Sequence, residues 1–233
     1  DVLRVADGRY HRADDVDDPG TAYDLRAHPF TAEQVVRGEV VHASRAELAA
    51  TLDRADDADA QHVEAAAVAF DESFEGLEAF VTADGLCRDI ADQARWLQRT
   101  IRSHVRRGRP LSAADAGRAL VLVAGIPLRD VAWAEMSRGQ ARHHVDLWRD
   151  LVRRSPRDLV PAAACLLAFA AWLSGHGALA WCALDRCAEV DPDYSMAGCV
   201  AELLERAVPP SVWTPIAEAD LPVFWPAPGL EAS

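Results

Sequence analysis

The chain has 233 residues, half of them apolar, and carries a formal net charge of −13 from 24 basic and 37 acidic side chains. That apolar fraction is enough to bury a core and excludes a polar, disordered chain, while the negative balance opposes sequence-independent binding to nucleic acid. Every basic residue is arginine and asparagine is absent too, the codon bias of a high-GC bacterial genome, so arginine in place of lysine is no sign of bidentate recognition.

In chain order, Val2–Val5 and Arg9–Arg12 flank Asp7-Gly8, a dipeptide suited to the positive φ angles of a two-residue turn, and predict a β-hairpin. The chain opens at Asp1 with neither an initiator Met nor a signal-peptide pattern, so the hairpin is expected to be left from a missing or preceding α/β segment. Residues 13–30, rich in Asp, Pro and Gly, are expected to form a loop or linker.

From Thr31 the apolar spacing turns helical. Ser44 with Glu47 and Ser112 with Asp115 have the spacing of capping boxes, for helices ending near Leu52 and Gly125. Further helices are expected at about 60–82, 85–107, 127–135, 137–154, 156–174, 177–190 and 195–207, with Pro156 at the first helical position of its helix. Leu159–Leu173 is an uninterrupted apolar run of 15 residues, short of the roughly 20 that span a bilayer, and reads as a buried core helix. After Pro209-Pro210, prolines alternate with Trp213, Phe224 and Trp225, which predicts an extended tail with its aromatics packed on the body. The expected organisation is therefore a hairpin remnant and linker over 1–30, an all-α domain over 31–208 and a tail over 209–233. Gly175, Ala180 and Asp191-Pro192 suggest that the helices stack as tetratricopeptide-like hairpins, although one such unit is visible.

Charge is unevenly distributed. Residues 93–160 hold 14 arginines against 6 carboxylates, whereas residues 1–92 hold 8 against 22 and residues 161–233 hold 2 against 9. At about 100° per residue, Arg95, Arg99, Arg102 and Arg106 fall in one narrow sector opposite Ala94, Leu97, Ile101 and Val105. Arg138, Arg142, Arg149 and Arg153 repeat the arrangement, with Trp148, Leu151 and Val152 turned away. These eight arginines are the candidate binding residues. They either cradle phosphates or pair with carboxylates, among them Asp53, Asp56, Asp57, Asp59, Glu72, Glu75 and Glu78, and the overall charge favours pairing within the chain or with a protein partner over nucleic acid.

Catalytic chemistry has little support in the residues. His143 and His144 are adjacent, so on a helix they diverge by about 100° and do not share a metal ion well. The five cysteines, Cys87, Cys165, Cys182, Cys187 and Cys199, include no C-x-x-C pair and lie in alanine-rich helical surroundings; they suit small apolar packing in a reducing cytoplasm. Arg129-Asp130 at a helix start reads as a buried structural ion pair. No phosphate-binding loop, dinucleotide fingerprint, nucleophile elbow or zinc-protease motif occurs, so no cofactor, metal or catalytic residue is assigned. An enzyme remains a reading only if its site lies ahead of Asp1.

The segments Leu147-Trp148-Arg149-Asp150-Leu151-Val152-Arg153-Arg154-Ser155-Pro156, Leu167-Ala168-Phe169-Ala170-Ala171-Trp172, Gly175-His176-Gly177-Ala178-Leu179-Ala180 and Asp191-Pro192-Asp193-Tyr194-Ser195 resemble the actinobacterial domain of unknown function numbered 4192. Arg129-Asp130-Val131-Ala132-Trp133 fits the same family. The resemblance is strong from about Leu111 to Trp213 and looser upstream, and it implies a further α/β segment ahead of this region. It brings no catalytic residues with it. The resulting expectation is a cytoplasmic helical module that binds a protein partner or itself and is not associated with a membrane, with nucleic-acid binding by the two arginine stripes as the alternative.

Overall fold

The computed structural model describes residues 3–6, 8–24, 42–73, 81–82, 85–86 and 88–225. It divides into two compact units, Asp1–Ser44 and Arg45–Ser233. The helical pattern from Thr31 falls outside the described residues as far as position 41.

In the first unit, β1 (Leu3–Ala6) and β2 (Arg9–Arg12) pair antiparallel with Val5 opposite Tyr10, and Gly8 takes φ +70° between them. This is the expected hairpin. A third strand, β3 (Thr21–Ala22), pairs with β2 where a loop was expected. Side chains bring it back: the Arg9 guanidinium donates to the carbonyls of Pro19 and Gly20 at 3.0 and 2.6 Å, and the Asp18 carboxylate accepts from the main-chain N–H groups of Arg12 and Gly20 at 2.6 and 2.8 Å. A strand of two residues has no periodicity to read.

The second unit is mainly all-α. Its described helices are α1 (Arg45–Ala50), α2 (Ala58–Ser73), α3 (Arg88–Arg107), α4 (Ala113–Ala124), α5 (Ile126–Ala134), α6 (Ala141–Arg154), α7 (Val160–Leu173), α8 (Gly177–Ala188) and α9 (Ser195–Glu205). Helix α7 is buried along its whole length, as a helix apolar on every face must be. It packs between α6 and α8, with α9 and α4 also against it, while α2 lies on α4 and α3 lies on α5 and α6. No helix among the described residues is long and apolar enough to cross a membrane.

Two expected helix boundaries are corrected. Helices were expected to run to residue 82 and again from residue 85, but Val81–Thr82 (β4) pairs antiparallel with Gly85–Leu86 (β5), and α3 begins at Arg88. The β-branched Val81 and Thr82 beside Asp84-Gly85 carry the same turn chemistry as the first hairpin, a short signal masked by helical periods on both sides. Likewise Pro156 leads into a 3-10 turn, Arg157–Leu159, and it is Pro161 that occupies the first turn of α7, where a missing N–H costs nothing.

The expected cap of α4 is present: the Ser112 hydroxyl accepts from the Asp115 N–H at 3.1 Å and donates to its carboxylate at 2.8 Å. At the far end of the unit, Trp213 stacks on Trp133 at 5.7 Å and meets Phe169 edge-on at 4.8 Å, while its indole N–H donates to the Met136 carbonyl at 2.9 Å. Such ring pairs add to the area they bury and tie the residues beyond α9 to the helices.

Candidate anion-binding site

The arginine stripe of α3 does not act as a line, because its members sit at the boundary between two neighbours. Arg102, at one edge, donates from Nε and Nη2 to both oxygens of Glu135 at 2.7 Å, and Glu218 lies 3.9 Å away. Gln98 joins the same two carboxylates at 3.2 Å each. The hydrogen bonds to Glu135 hold the Arg102 guanidinium above its ordinary pKa. Arg95 pairs at 3.1 Å with Asp92 on its own helix, and Arg106 is exposed.

Arg99, about 60° around the helix from Arg102, faces elsewhere. It lines a cavity of about 340 Å³ together with Trp96, Thr100, Ser103, His104 and Arg107, all from α3. These positions recur every three or four residues, so they form one continuous face of the helix. The opposite wall is the turn from α3 into α4 and the first turn of α4: Arg109, Pro110, Leu111, Ser112 and Asp115. Three exposed arginines, Arg99, Arg107 and Arg109, therefore line the cavity against one carboxylate, Asp115.

The turn is held from several sides. Gly108 adopts φ +62°, in the left-handed region that closes a helix, and its N–H donates to the His104 carbonyl at 2.7 Å. The buried His104 donates from Nδ1 to the Arg109 carbonyl at 2.8 Å, because a carbonyl can only accept. Arg154 fixes the next residue, donating to the Leu111 carbonyl at 3.1 Å and to Asp59 at 3.0 Å while also bonding Asp150. Sequence reading missed this buried arginine because it lies next to the second stripe rather than in it. It also reaches the acidic flank, through Asp59.

Among the described residues no carboxylate pairs with the cavity arginines, Arg99, Arg107 and Arg109. Arg107 stands in the last turn of α3, where the helix dipole favours a cation, but that is a fraction of a unit charge. Behind the cavity, Arg118 stacks on Trp96 at 3.9 Å and donates to the Gln93 side-chain oxygen at 2.7 and 3.2 Å. Burial lowers its pKa, Asp115 opposes that, and repulsion from Arg99 adds a smaller contribution.

The second stripe fares differently. Arg138 lies in a 3-10 turn ahead of α6, and Arg138 and Arg153 are exposed. Arg142 has interactions of its own. Arg149 is part-buried with its Nε unpartnered, and burial lowers its pKa. Its charge is sunk into the surface, so the four do not present an unbroken row. Of the residues 53–92, only Asp92 pairs with a stripe arginine among the described residues.

The remaining candidates separate along the lines of helix geometry. His143 is exposed and His144 is buried with both ring nitrogens unpartnered, so the two do not converge. Cys165 and Cys187 lie 3.6 Å apart at the α7–α8 contact, where their mutual hydrogen bond pushes the Cys165 thiol up and the Cys187 thiol down. Cys182 is buried and Cys199 exposed, while the Cys87 side chain lies outside the described residues. No group of three or more metal-ligating side chains occurs among the described residues. Arg129 is buried, bonded to Asp130 at 2.9 Å and to the Tyr194 hydroxyl at 3.4 Å, the structural pair expected from sequence.

A family model described as a domain of unknown function, DUF4192, matches residues 1–211. No curated protein and no solved structure matches the chain.

Proposed function

We propose, for a chain that belongs to the DUF4192 family, that its helical unit is a recognition module which captures an anionic group of a partner or ligand in the cavity between α3 and α4. One observation carries this reading: Arg99, Arg107 and Arg109 converge on one cavity with no carboxylate paired to any of them among the described residues. Three such cations repel one another and gain free energy when an anion enters. Elsewhere in the basic segment Arg102, Arg95, Arg129 and Arg154 pair with Glu135, Asp92, Asp130, Asp150 and Asp59. Helical hairpins stacked in a tetratricopeptide-like array, as the α7–α8 pair suggests, would present such a site to a protein partner.

Thermal unfolding in the presence of pyrophosphate, poly-glutamate, heparin or single-stranded RNA tests the reading. At least one of these is expected to stabilise the protein by about 2 to 3 kcal/mol at a hundredfold excess over its Kd, and the Arg99→Ala/Arg107→Ala/Arg109→Ala variant is expected to lose that gain. Indifference of the wild-type protein to all four would overturn it.

A further inference from the structure

We infer that the cavity is the seat of a small phosphorylated ligand, an organic phosphate or diphosphate, rather than of a polymer or a lone carboxylate; this rests on the anion-capture reading above. The first argument is charge. Arg99, Arg107 and Arg109 match a group with two or more negative charges and several acceptor oxygens, which a phosphoryl group supplies and a single carboxylate does not.

The second argument is the floor of the site. Ser112 caps α4, a helix of 12 residues, and lines the cavity with Asp115. The first N–H groups of a helix lack intrahelical acceptors and its dipole favours an anion there, although the Asp115 N–H is already taken by the Ser112 hydroxyl. Thr100 and Ser103 add hydroxyl groups to the cavity wall.

Size and charge favour a small occupant. A volume of about 340 Å³ falls at the small end of ligand pockets. A chain of net charge −13 repels a long polyanion everywhere beyond its basic segment. Trp96, Pro110 and Leu111 give the cavity an apolar side, against which the organic part of such a ligand would lie.

Asp115 sets the sign of a decisive control. Its carboxylate lines the same space and opposes any anion there, so Asp115→Asn is expected to tighten binding while Arg107→Ala/Arg109→Ala weakens it. A residue that only supports the fold would not give opposite shifts.

Isothermal titration of the intact chain with pyrophosphate, ADP, citrate and poly-glutamate tests the inference, with circular dichroism on each variant to confirm folding. The expected result is one-to-one binding of pyrophosphate or ADP at least tenfold tighter than citrate, weakened tenfold or more in Arg107→Ala/Arg109→Ala and tightened severalfold in Asp115→Asn. Poly-glutamate binding without pyrophosphate or ADP binding would overturn the phosphate assignment and leave the anion-capture reading standing. Binding of none of the four would remove both. Phosphate binding that the arginine variant leaves intact would overturn the assignment of the site.

Discussion

Replacing Gly117 with valine is expected to cost about 3 kcal/mol of stability, and even alanine, the best helix former, is expected to destabilise. Gly117 lies in the interior of α4, where glycine ordinarily costs up to about 1 kcal/mol relative to alanine. Here a Cβ would stand 2.6 Å from the Ala67 main-chain nitrogen and 2.9 Å from the Val63 carbonyl oxygen. Those are backbone atoms of α2, so no side chain can rotate away. Ala60, Val63 and Ala67 are the buried residues of α2, and the two helices close on them because Gly117 has no side chain. In a unit of this size, 3 kcal/mol is a fall in Tm of roughly 6 to 12 °C. The same variant displaces the helix that supplies Ser112 and Asp115 to the cavity, so anion binding should weaken with it. Denaturation of the wild type, Gly117→Ala and Gly117→Val measures this, and a rise in stability for alanine would show that the helices are not in backbone contact.

Acid is expected to destabilise the protein through His144. Burial lowers its pKa from 6.5 to about 4, repulsion from His104 and His143 adds to this, and the main chain of Glu135 offsets it in part without the geometry of a hydrogen bond. The unfolded chain takes up a proton near pH 6.5 that the folded chain refuses until about pH 4. Stability therefore falls as pH drops through that window, by roughly 3 kcal/mol over its full width. Neither ring nitrogen has a partner to lose, so His144→Leu should flatten this part of the profile, while replacement of the exposed His143 should leave it in place. Urea unfolding at pH 7 and pH 4.5 reads the difference. An unchanged slope in His144→Leu would assign the titration elsewhere.

Much of this architecture is legible in the sequence, and what is hidden is hidden for physical reasons. The helical period places α3 to α6, α8 and α9 because each buries an apolar face at 3.6-residue spacing, the unbroken apolar run places α7, and Ser112 with Asp115 marks the start of α4. Strands β3 to β5 are too short to carry an alternation. Periodicity also finds the α3 stripe but not its division, since the direction in which Arg102 turns depends on Glu135, which belongs to another element. Arg107 and Arg109 escape a search for stripes, one lying on the neighbouring face and the other in a turn. The pattern Trp96, Arg99, Thr100, Ser103, His104, Arg107 has perfect helical spacing but mixed chemistry, so hydropathy does not separate it from a solvated face. Gly117 reads as a weak point in a helix until α2 is laid against it.

Capture of one anion by Arg99, Arg107 and Arg109 together is the central proposal. The most direct measurement is a pyrophosphate titration followed by the arginine Nε–H NMR resonances of the ¹⁵N-labelled protein, assigned by single substitutions. Arg99, Arg107 and Arg109 should shift together along one saturating curve, while Arg102, held by Glu135, and the exposed Arg138 and Arg153 stay in place. Resonances that do not move, or that move equally at Arg138 and Arg153, would contradict it.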